Sequence, residues 1–271
     1  MKRRNRCSKK LLLTIDAVLL IVLITSVVGL TVTLVNYRKN RLLYEQASAL
    51  AVTTPNADET AVPPAATPAP PDTAALPDET PPITVDFESV REEGRHVRGW
   101  LYCPETAINY PVVYYSNNEF YLTHDYTGKH SSAGALFFDT RQTKELSGDN
   151  IIIYGHHMKD RSMFGSLLQY QKQDYYDAHP ILYLLTLEKN YRIDLFAARF
   201  VDSEKENYPV WFTNEQARDQ FVQTAVSESD FTPEDAQIRP NVQIVSLVTC
   251  AYSQYIPDAK FQVLGWLVEI G

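Results

Sequence analysis

The 271-residue sequence has few of the residues that build metal or disulfide sites. It contains three cysteines, and neither a C-x-x-C nor an H-E-x-x-H pattern occurs. Without these patterns, zinc binding is the less favoured explanation for the cysteines and histidines, and a catalytic role competes with it. The sequence also has no cluster of basic residues within its folded part, because the dense one lies at the N-terminus beside an apolar run. Nucleic acid is thus not the expected partner.

Charge is absent from residues 17–35, a run of nineteen apolar or small residues. At about 1.5 Å per residue, such a helix approaches the roughly 30 Å of a membrane's hydrocarbon core. Residues 11–35 therefore predict one transmembrane signal-anchor, with a cleaved signal peptide as the alternative. Six basic residues in 1–10 and three shortly after the span predict a cytoplasmic tail at residues 1–10 and an extracellular remainder.

Aromatic residues are absent between Tyr44 and Phe87, and residues 51–85 contain nine of the sixteen prolines. Such a composition buries too little apolar surface to offset the conformational entropy of the chain. Residues 36–85 are therefore predicted to be an extended, partly polyproline stalk that separates a folded domain from the membrane.

Opposite charges divide the chain in the same way. The sequence has 33 acidic and 25 basic side chains, but residues 1–50 carry a net charge of +7, residues 51–85 of −5 and residues 86–271 of −10. The three segments therefore have three different physical roles.

Residues 86–271 are long enough for one well-packed domain, and short runs of Ile, Val, Leu and Tyr predict mostly strands. The predicted strands cover 151–154, 181–187, 191–198, 243–249 and 261–270. Fewer helices are predicted, over 86–93, 163–174 and 213–227, the last from the capping pattern Thr213-x-x-Gln216. The pattern indicates a mainly β barrel or sheet with peripheral helices.

Three cysteines divide between two compartments, because Cys7 lies in the predicted cytoplasmic tail. Cys103 and Cys250 form an extracellular pair, for which a disulfide is one hypothesis. Cys250 instead ends the apolar run VQIVSLVTC and is followed by a polar segment, which is where functional side chains commonly lie. Cys103 fits a small packing residue.

A thiol needs a base or a cation beside it to act as a nucleophile at neutral pH. His156 and His157 directly follow the strand-like run NIIIYG, which places an imidazole at another strand end. Because adjacent residues of an extended chain point to opposite sides, only one of the two is expected to face the cysteine.

Five segments together resemble the class B sortases, membrane-anchored cysteine transpeptidases of Gram-positive bacteria. They are GWLYCPETAINYPVV, NNEFYLTHDYTGKHSSAGALFFD, NIIIYGHHMKDRSMFGSLLQY, SLVTCAY and DAKFQVLGWLVEI, and they extend over nearly all of 86–271. The resemblance implies the sortase eight-stranded β-barrel with peripheral helices as the catalytic domain, preceded by one N-terminal membrane helix and needing neither cofactor nor metal.

By position, the resemblance makes Cys250 the nucleophile and His156 the catalytic imidazole, with His157 as its outward neighbour. The family's third catalytic residue is an arginine in a DARF-type segment, where this sequence has Lys260. An ammonium keeps the charge but lacks the two-pronged hydrogen bonding of a guanidinium. Smaller departures are Ser246, in place of the first threonine of the TLxTC-like segment, and Ala251, where an acidic residue is common.

The resemblance also implies substrate-binding roles for Asn118, Leu122 and Thr249, although Leu122 is equally suited to the core. The implied partners are a surface protein or pilin with a C-terminal sorting motif of the NPxTx type, and an amine from peptidoglycan or a pilin lysine. One alternative is a sortase-fold protein that binds sorting peptides with little turnover because of Lys260. Another is a different cysteine enzyme of the cell wall, such as an L,D-transpeptidase or an amidase.

Overall fold

The computed structural model describes residues 4–54, 80–142, 146–202, 208–250 and 258–271, and side chains from residue 13 onward. The helices are α1 (Arg4–Ala51), α2 (Phe87–Glu93), α3 (Gln173–Ala178) and α4 (Glu215–Ser227), with 3-10 helices at Phe120–Leu122 and Phe164–Gln171. The strands are β1 (Val52–Thr53), β2 (Thr84–Val85), β3 (Val97–Tyr102), β4 (Asn109–Val113), β5 (Leu136–Phe138), β6 (Asn150–Gly155), β7 (Ile181–Thr186), β8 (Asn190–Asp202), β9 (Gln243–Cys250) and β10 (Ala259–Ile270).

Eight of the strands in the described part of the chain close into a barrel. Their order around it is β10, β8, β7, β3, β4, β5, β6 and β9. The β4–β5 and β6–β9 pairs are parallel, and the others are antiparallel. Side chains such as Trp100, Phe138 and Phe261 are fully buried, and closing the sheet removes its exposed edges. The predicted eight-stranded barrel is confirmed.

Peripheral helices differ in detail from the sequence prediction. Asp86 caps α2 by accepting hydrogen bonds from the backbone N–H groups of Glu88 and Ser89, as its position before a helix favours. The predicted cap of α4 is wrong, because Asn214 rather than Thr213 accepts the hydrogen bond of the first turn. The helix predicted over 163–174 is instead two elements, a 3-10 helix and α3, since residue 172 has an extended backbone between them.

The N-terminal helix α1 contains the predicted membrane segment. Its residues from Leu13 onward make a helix long and apolar enough to cross a membrane, and none of its most apolar stretch is buried by the residues that the structure describes. The chain divides into two compact units after Leu43, so the apolar part of α1 belongs to a unit of its own.

The predicted stalk of residues 36–85 differs from the structure at both ends. The helix does not stop at residue 35 but continues to Ala51, since residues 36–51 contain neither proline nor glycine. Tyr44, Ala47 and Ala51 recur at helical spacing on one side of this last part of α1, and all three are buried in the second unit. β1 then pairs with β2, which follows the proline-rich segment. Residues 55–79, where most of the polyproline character was predicted, lie outside the described residues.

Candidate active site

Cys250 and Lys260 meet because β9 and β10 are antiparallel neighbours. The two residues lie directly opposite each other in the register of the pair. Side chains of directly opposed residues project from the same face of a sheet. The Lys260 Nζ accordingly donates a hydrogen bond to the Cys250 Sγ at 3.1 Å. The lysine that takes the place of the family's arginine is thus in contact with the thiol.

His156 reaches the same place through the parallel pairing of β6 with β9. Gly155, the last residue of β6, pairs with Thr249 of β9. The residues that follow them, His156 and Cys250, therefore lie side by side at the ends of the two parallel strands. The imidazole lies near enough to the Cys250 thiol to lower the pKa of that thiol. Its Nε2 atom lies 2.6 Å from the carbonyl oxygen of Leu122. His157 is exposed and forms a bridge with Met163, as predicted for the outward neighbour.

The imidazole and the thiol change each other's acidity in opposite directions. The neighbouring His156 is the main reason that the pKa of the Cys250 thiol falls to about 7, and Lys260 lowers it further, while partial burial opposes both. The thiol in turn raises the pKa of His156, as does the Leu122 carbonyl, against the effect of burial and of Lys260. A thiolate beside an imidazolium is the arrangement that makes a cysteine nucleophilic near neutral pH.

Thr249 and Leu122 flank the three residues in different ways. The Thr249 side chain lies on the opposite face of β9 and is buried, and its hydroxyl has no hydrogen-bond partner among the described residues. Leu122 is not a plain core residue, because more than a third of its surface is exposed and its carbonyl contacts His156. Leu122 therefore borders the site, and a role of Thr249 in substrate binding stays a prediction. Ala251 lies outside the described residues.

Asn118 makes its contact elsewhere. Its side-chain oxygen accepts a hydrogen bond from the backbone N–H of Thr140 at 2.9 Å, and the side chain is half-buried. This bond fixes the segment that leads into Phe120–Leu122. A direct role in peptide binding stays a prediction.

Two glycines close to the histidine were not identified from the sequence. A Cβ on Gly155 would collide with Leu136 and with Phe164, 2.7 Å from its Cδ2 atom. A Cβ on Gly134 would lie 3.1 Å from the His156 Cδ2 atom, and Gly134 has a positive φ of 61°. Single glycines between polar and apolar residues suggest such close approaches, but the sequence does not say which residue approaches.

Cys103 lies apart from this cluster. It is fully buried, its sulfur is 3.8 Å from the Tyr170 hydroxyl oxygen, and burial raises the pKa of its thiol. Both Cys103 and Cys250 are free, so the disulfide hypothesis is wrong. No group of three or more His, Cys, Asp or Glu side chains within the described ranges is arranged to hold a metal ion.

Comparison with known proteins decides the family. The chain is 31% identical over 175 residues to sortase B of Staphylococcus aureus, an alignment that covers 64% of this chain and 71% of that protein. The chain belongs to the sortase B family. Sortase B of Listeria monocytogenes is 28% identical over 183 residues, which cover 68% of this chain and 74% of the relative. No family model matches the sequence.

The solved structures agree with this membership. A crystal structure of sortase B complexed with triglycine superimposes with a TM-score of 0.63 at 26% identity, covering 68% of this chain and 86% of the other. As a sortase B, the chain belongs to a family of cysteine transpeptidases. That membership contradicts the hypothesis of an L,D-transpeptidase or a cysteine amidase.

Proposed function

We propose that this sortase B is an active transpeptidase that cleaves a C-terminal sorting motif of the NPxTx type and joins the released protein to an amine. The observation that carries the proposal is the meeting of His156, Cys250 and Lys260 at neighbouring strand ends, where the Lys260 Nζ lies 3.1 Å from the Cys250 Sγ. A thiol whose pKa is about 7 is substantially ionised at neutral pH, without a metal or cofactor.

In the first half of the proposed reaction, the Cys250 thiolate attacks the carbonyl carbon that follows the motif's threonine. A C–S bond forms, and the electron pair of the carbonyl moves to its oxygen. Lys260 lies beside the sulfur, where its positive charge stabilises that oxyanion. The tetrahedral intermediate then expels the amine of the next residue, which takes the proton of the His156 imidazolium, and a thioacyl enzyme is left.

In the second half, an amine attacks the thioacyl carbonyl. His156, now neutral, accepts the proton of the amine, a new amide bond forms, and the Cys250 thiolate leaves. The acceptor that we propose is an amine of a peptidoglycan cross-bridge or of a pilin lysine. The known complex of a sortase B with triglycine supports an acceptor of the first kind.

We further propose that the protein is held at the cell surface by its N-terminal helix. In this arrangement residues 1–10 lie in the cytoplasm, residues 11–35 cross the membrane once, and residues 86–271 act outside the cell as the catalytic domain. The long apolar helix and the excess of basic residues before it support this orientation. Tagging each terminus and treating intact cells with protease tests it, since only the C-terminal tag should be removed.

A second candidate function follows from Lys260 itself. An ammonium makes one-point hydrogen bonds where a guanidinium makes two, so the oxyanion is held less firmly. On this alternative the protein binds sorting peptides or partner proteins with little turnover.

Mass spectrometry separates the two candidates. The intact chain is incubated with a small library of sorting peptides, without an acceptor amine, and the mass of the Cys250-containing peptide is measured. A thioester that disappears when triglycine is added supports the transpeptidase, and its absence in Cys250→Ala serves as the control. Peptide binding without any adduct would instead favour the binding module.

A further inference from the structure

The last turns of α1 are built into the same unit as the barrel. Tyr44 is 5% exposed, and its ring packs edge-on against Tyr110, with the ring centroids 5.2 Å apart, and at a tilt against Tyr126 at 5.8 Å. One turn later, Ser48 accepts a hydrogen bond from the Asn109 amide at 2.8 Å. These contacts fix the position of the Tyr44 hydroxyl within the unit.

That hydroxyl donates a hydrogen bond of 2.6 Å to the carbonyl oxygen of Gly134. Gly134 is also close to the histidine: a Cβ on it would lie 3.1 Å from the His156 Cδ2 atom and 3.1 Å from the Leu122 carbonyl oxygen. Gly134 is therefore a neighbour of both the imidazole and the carbonyl that binds it. A displacement of Gly134 changes the space available to both.

A second path connects the same tyrosine with the chain beyond His156. The Tyr110 hydroxyl, on the ring that packs against Tyr44, accepts a hydrogen bond from the Met163 backbone N–H at 3.1 Å. Met163 forms the bridge with His157, and the next residue, Phe164, donates its backbone N–H to the His156 carbonyl oxygen at 3.0 Å. Tyr44 is thus connected to His156 by two paths, one through Gly134 and one through Tyr110 and Met163.

We propose that Tyr44 is a positioning residue for His156, so that the end of the membrane-anchor helix helps to set the geometry of the imidazole and thiol. Tyr44 touches neither Cys250 nor Lys260, and it acts through Gly134 and Tyr110. The consequence for catalysis rests on the proposed transpeptidase function, whereas the consequence for the reactivity of Cys250 does not. The predicted stalk boundary at residue 36 therefore falls before a residue that the active site uses.

The test is Tyr44→Phe in the full chain in detergent. The rate at which iodoacetamide alkylates Cys250 is measured against pH by peptide mass spectrometry. Phenylalanine keeps the ring but removes the bond to Gly134, so the contact of His156 with the Leu122 carbonyl weakens and the imidazolium is less stabilised. We expect the midpoint of the profile to move up by about half a pH unit and kcat for peptide cleavage to fall about threefold, with KM little changed.

Tyr126→Phe is the matched control, because it also removes a hydroxyl from this aromatic cluster. The Tyr126 hydroxyl donates its hydrogen bond to Glu93 and not to Gly134. It should leave the midpoint unchanged, even if it lowers the melting temperature as much. An unchanged midpoint in Tyr44→Phe, or an equal shift in Tyr126→Phe, would overturn the proposal.

Two non-natural residues at position 44 complete the test and serve if Tyr44→Phe does not fold. With 4-aminophenylalanine, which keeps a donor, the wild-type midpoint should return. With 4-methylphenylalanine, which has a similar shape but no donor, the shift should persist, and equal profiles for the two would contradict the inference. Because alkylation needs no sorting peptide, the midpoint tests the inference even if no transpeptidation is found.

Discussion

Cys103 and Cys250 show how differently one side chain behaves in two regions of the same barrel. Cys103 follows β3 and is fully buried beside Tyr170, and burial raises the pKa of its thiol. Cys250 is the last residue of β9 and is exposed, and the neighbouring His156 and Lys260 lower the pKa of its thiol to about 7.

The difference arises from the neighbours that each strand end receives. Burial opposes ionisation of both thiols, but at Cys250 a neighbouring imidazole and the hydrogen bond from an ammonium outweigh it. At Cys103 the nearby groups are a tyrosine hydroxyl and a backbone carbonyl, which bring no positive charge. A cysteine of this barrel thus becomes acidic through the cations that the fold brings to it.

The largest expected effect comes from deleting one thiol or the other. Cys250→Ala should abolish cleavage of a fluorogenic NPxTx peptide by the full chain, because no other described thiol lies beside His156. Cys103→Ala should leave the rate within about twofold, since this residue only packs. Retained cleavage in Cys250→Ala would mean that the nucleophile is another group.

Reactivity toward a small alkylating reagent should separate the two thiols next. The pKa of Cys250 is lowered, so its thiolate forms as the pH rises through about 7, and its alkylation rate should be half-maximal there and fall below it. The raised pKa and burial of Cys103 should keep it unreactive across the same range. Peptide mass spectrometry measures both sites in one sample.

A thiol count gives the control for that experiment. Residues 86–271 of the unreduced, denatured protein should contain two free thiols. A count of zero would mean that Cys103 and Cys250 are joined in solution, and the contrast between them would disappear.

Replacement of Lys260 tests the cationic side of the comparison. Lys260→Ala should lower kcat/KM by at least about tenfold, or about 1.4 kcal/mol of transition-state stabilisation. Lys260→Arg should keep or increase activity, because a guanidinium restores two-point hydrogen bonding. Steady-state cleavage of the same peptide measures both, and an alanine variant as active as the wild type would remove Lys260 from the mechanism.

The smallest effect should come from Cys103 as a packing residue. Cys103→Ala removes a fully buried sulfur, and the small cavity should lower the free energy of unfolding by about 1 kcal/mol. Denaturant unfolding of this variant measures the loss. The exposed Cys250 should tolerate the same change within about 0.5 kcal/mol, and an equal loss at both sites would argue against the contrast in packing.

Much of the barrel could be predicted from local patterns. The predicted strands over 243–249 and 261–270 correspond to β9 and β10, because continuous apolar runs bounded by polar residues leave few alternatives. The residue that starts α4 could not be predicted as well, since Thr213 and Asn214 are both good caps and only the turn geometry selects one. The apolar run did not predict that α1 continues to Ala51, because hydropathy marks where an apolar segment ends, not where a helix ends.

The candidate site likewise divides into residues that the sequence could predict and residues that it could not. The resemblance to class B sortases named Cys250, His156 and Lys260, whereas the parity of an extended chain predicted only that one of the two adjacent histidines faces the cysteine. The Leu122 carbonyl, Gly134 and Tyr44 could not be found in this way. Two of the three contribute backbone groups, which any residue type supplies, and Tyr44 lies in a segment whose composition indicates a stalk.

By itself, the sequence determined the long apolar segment, the strand pattern and the residue types that carry the proposed chemistry, because each depends on neighbours within a few positions. Only the tertiary structure decided that residues 156, 250 and 260 meet at adjacent strand ends, since barrel closure joins strands far apart in the chain. It also decided which cysteine is acidic and that the end of α1 reaches the site through Tyr44. Acidity and positioning depend on distances across the fold, and no local pattern specifies those distances.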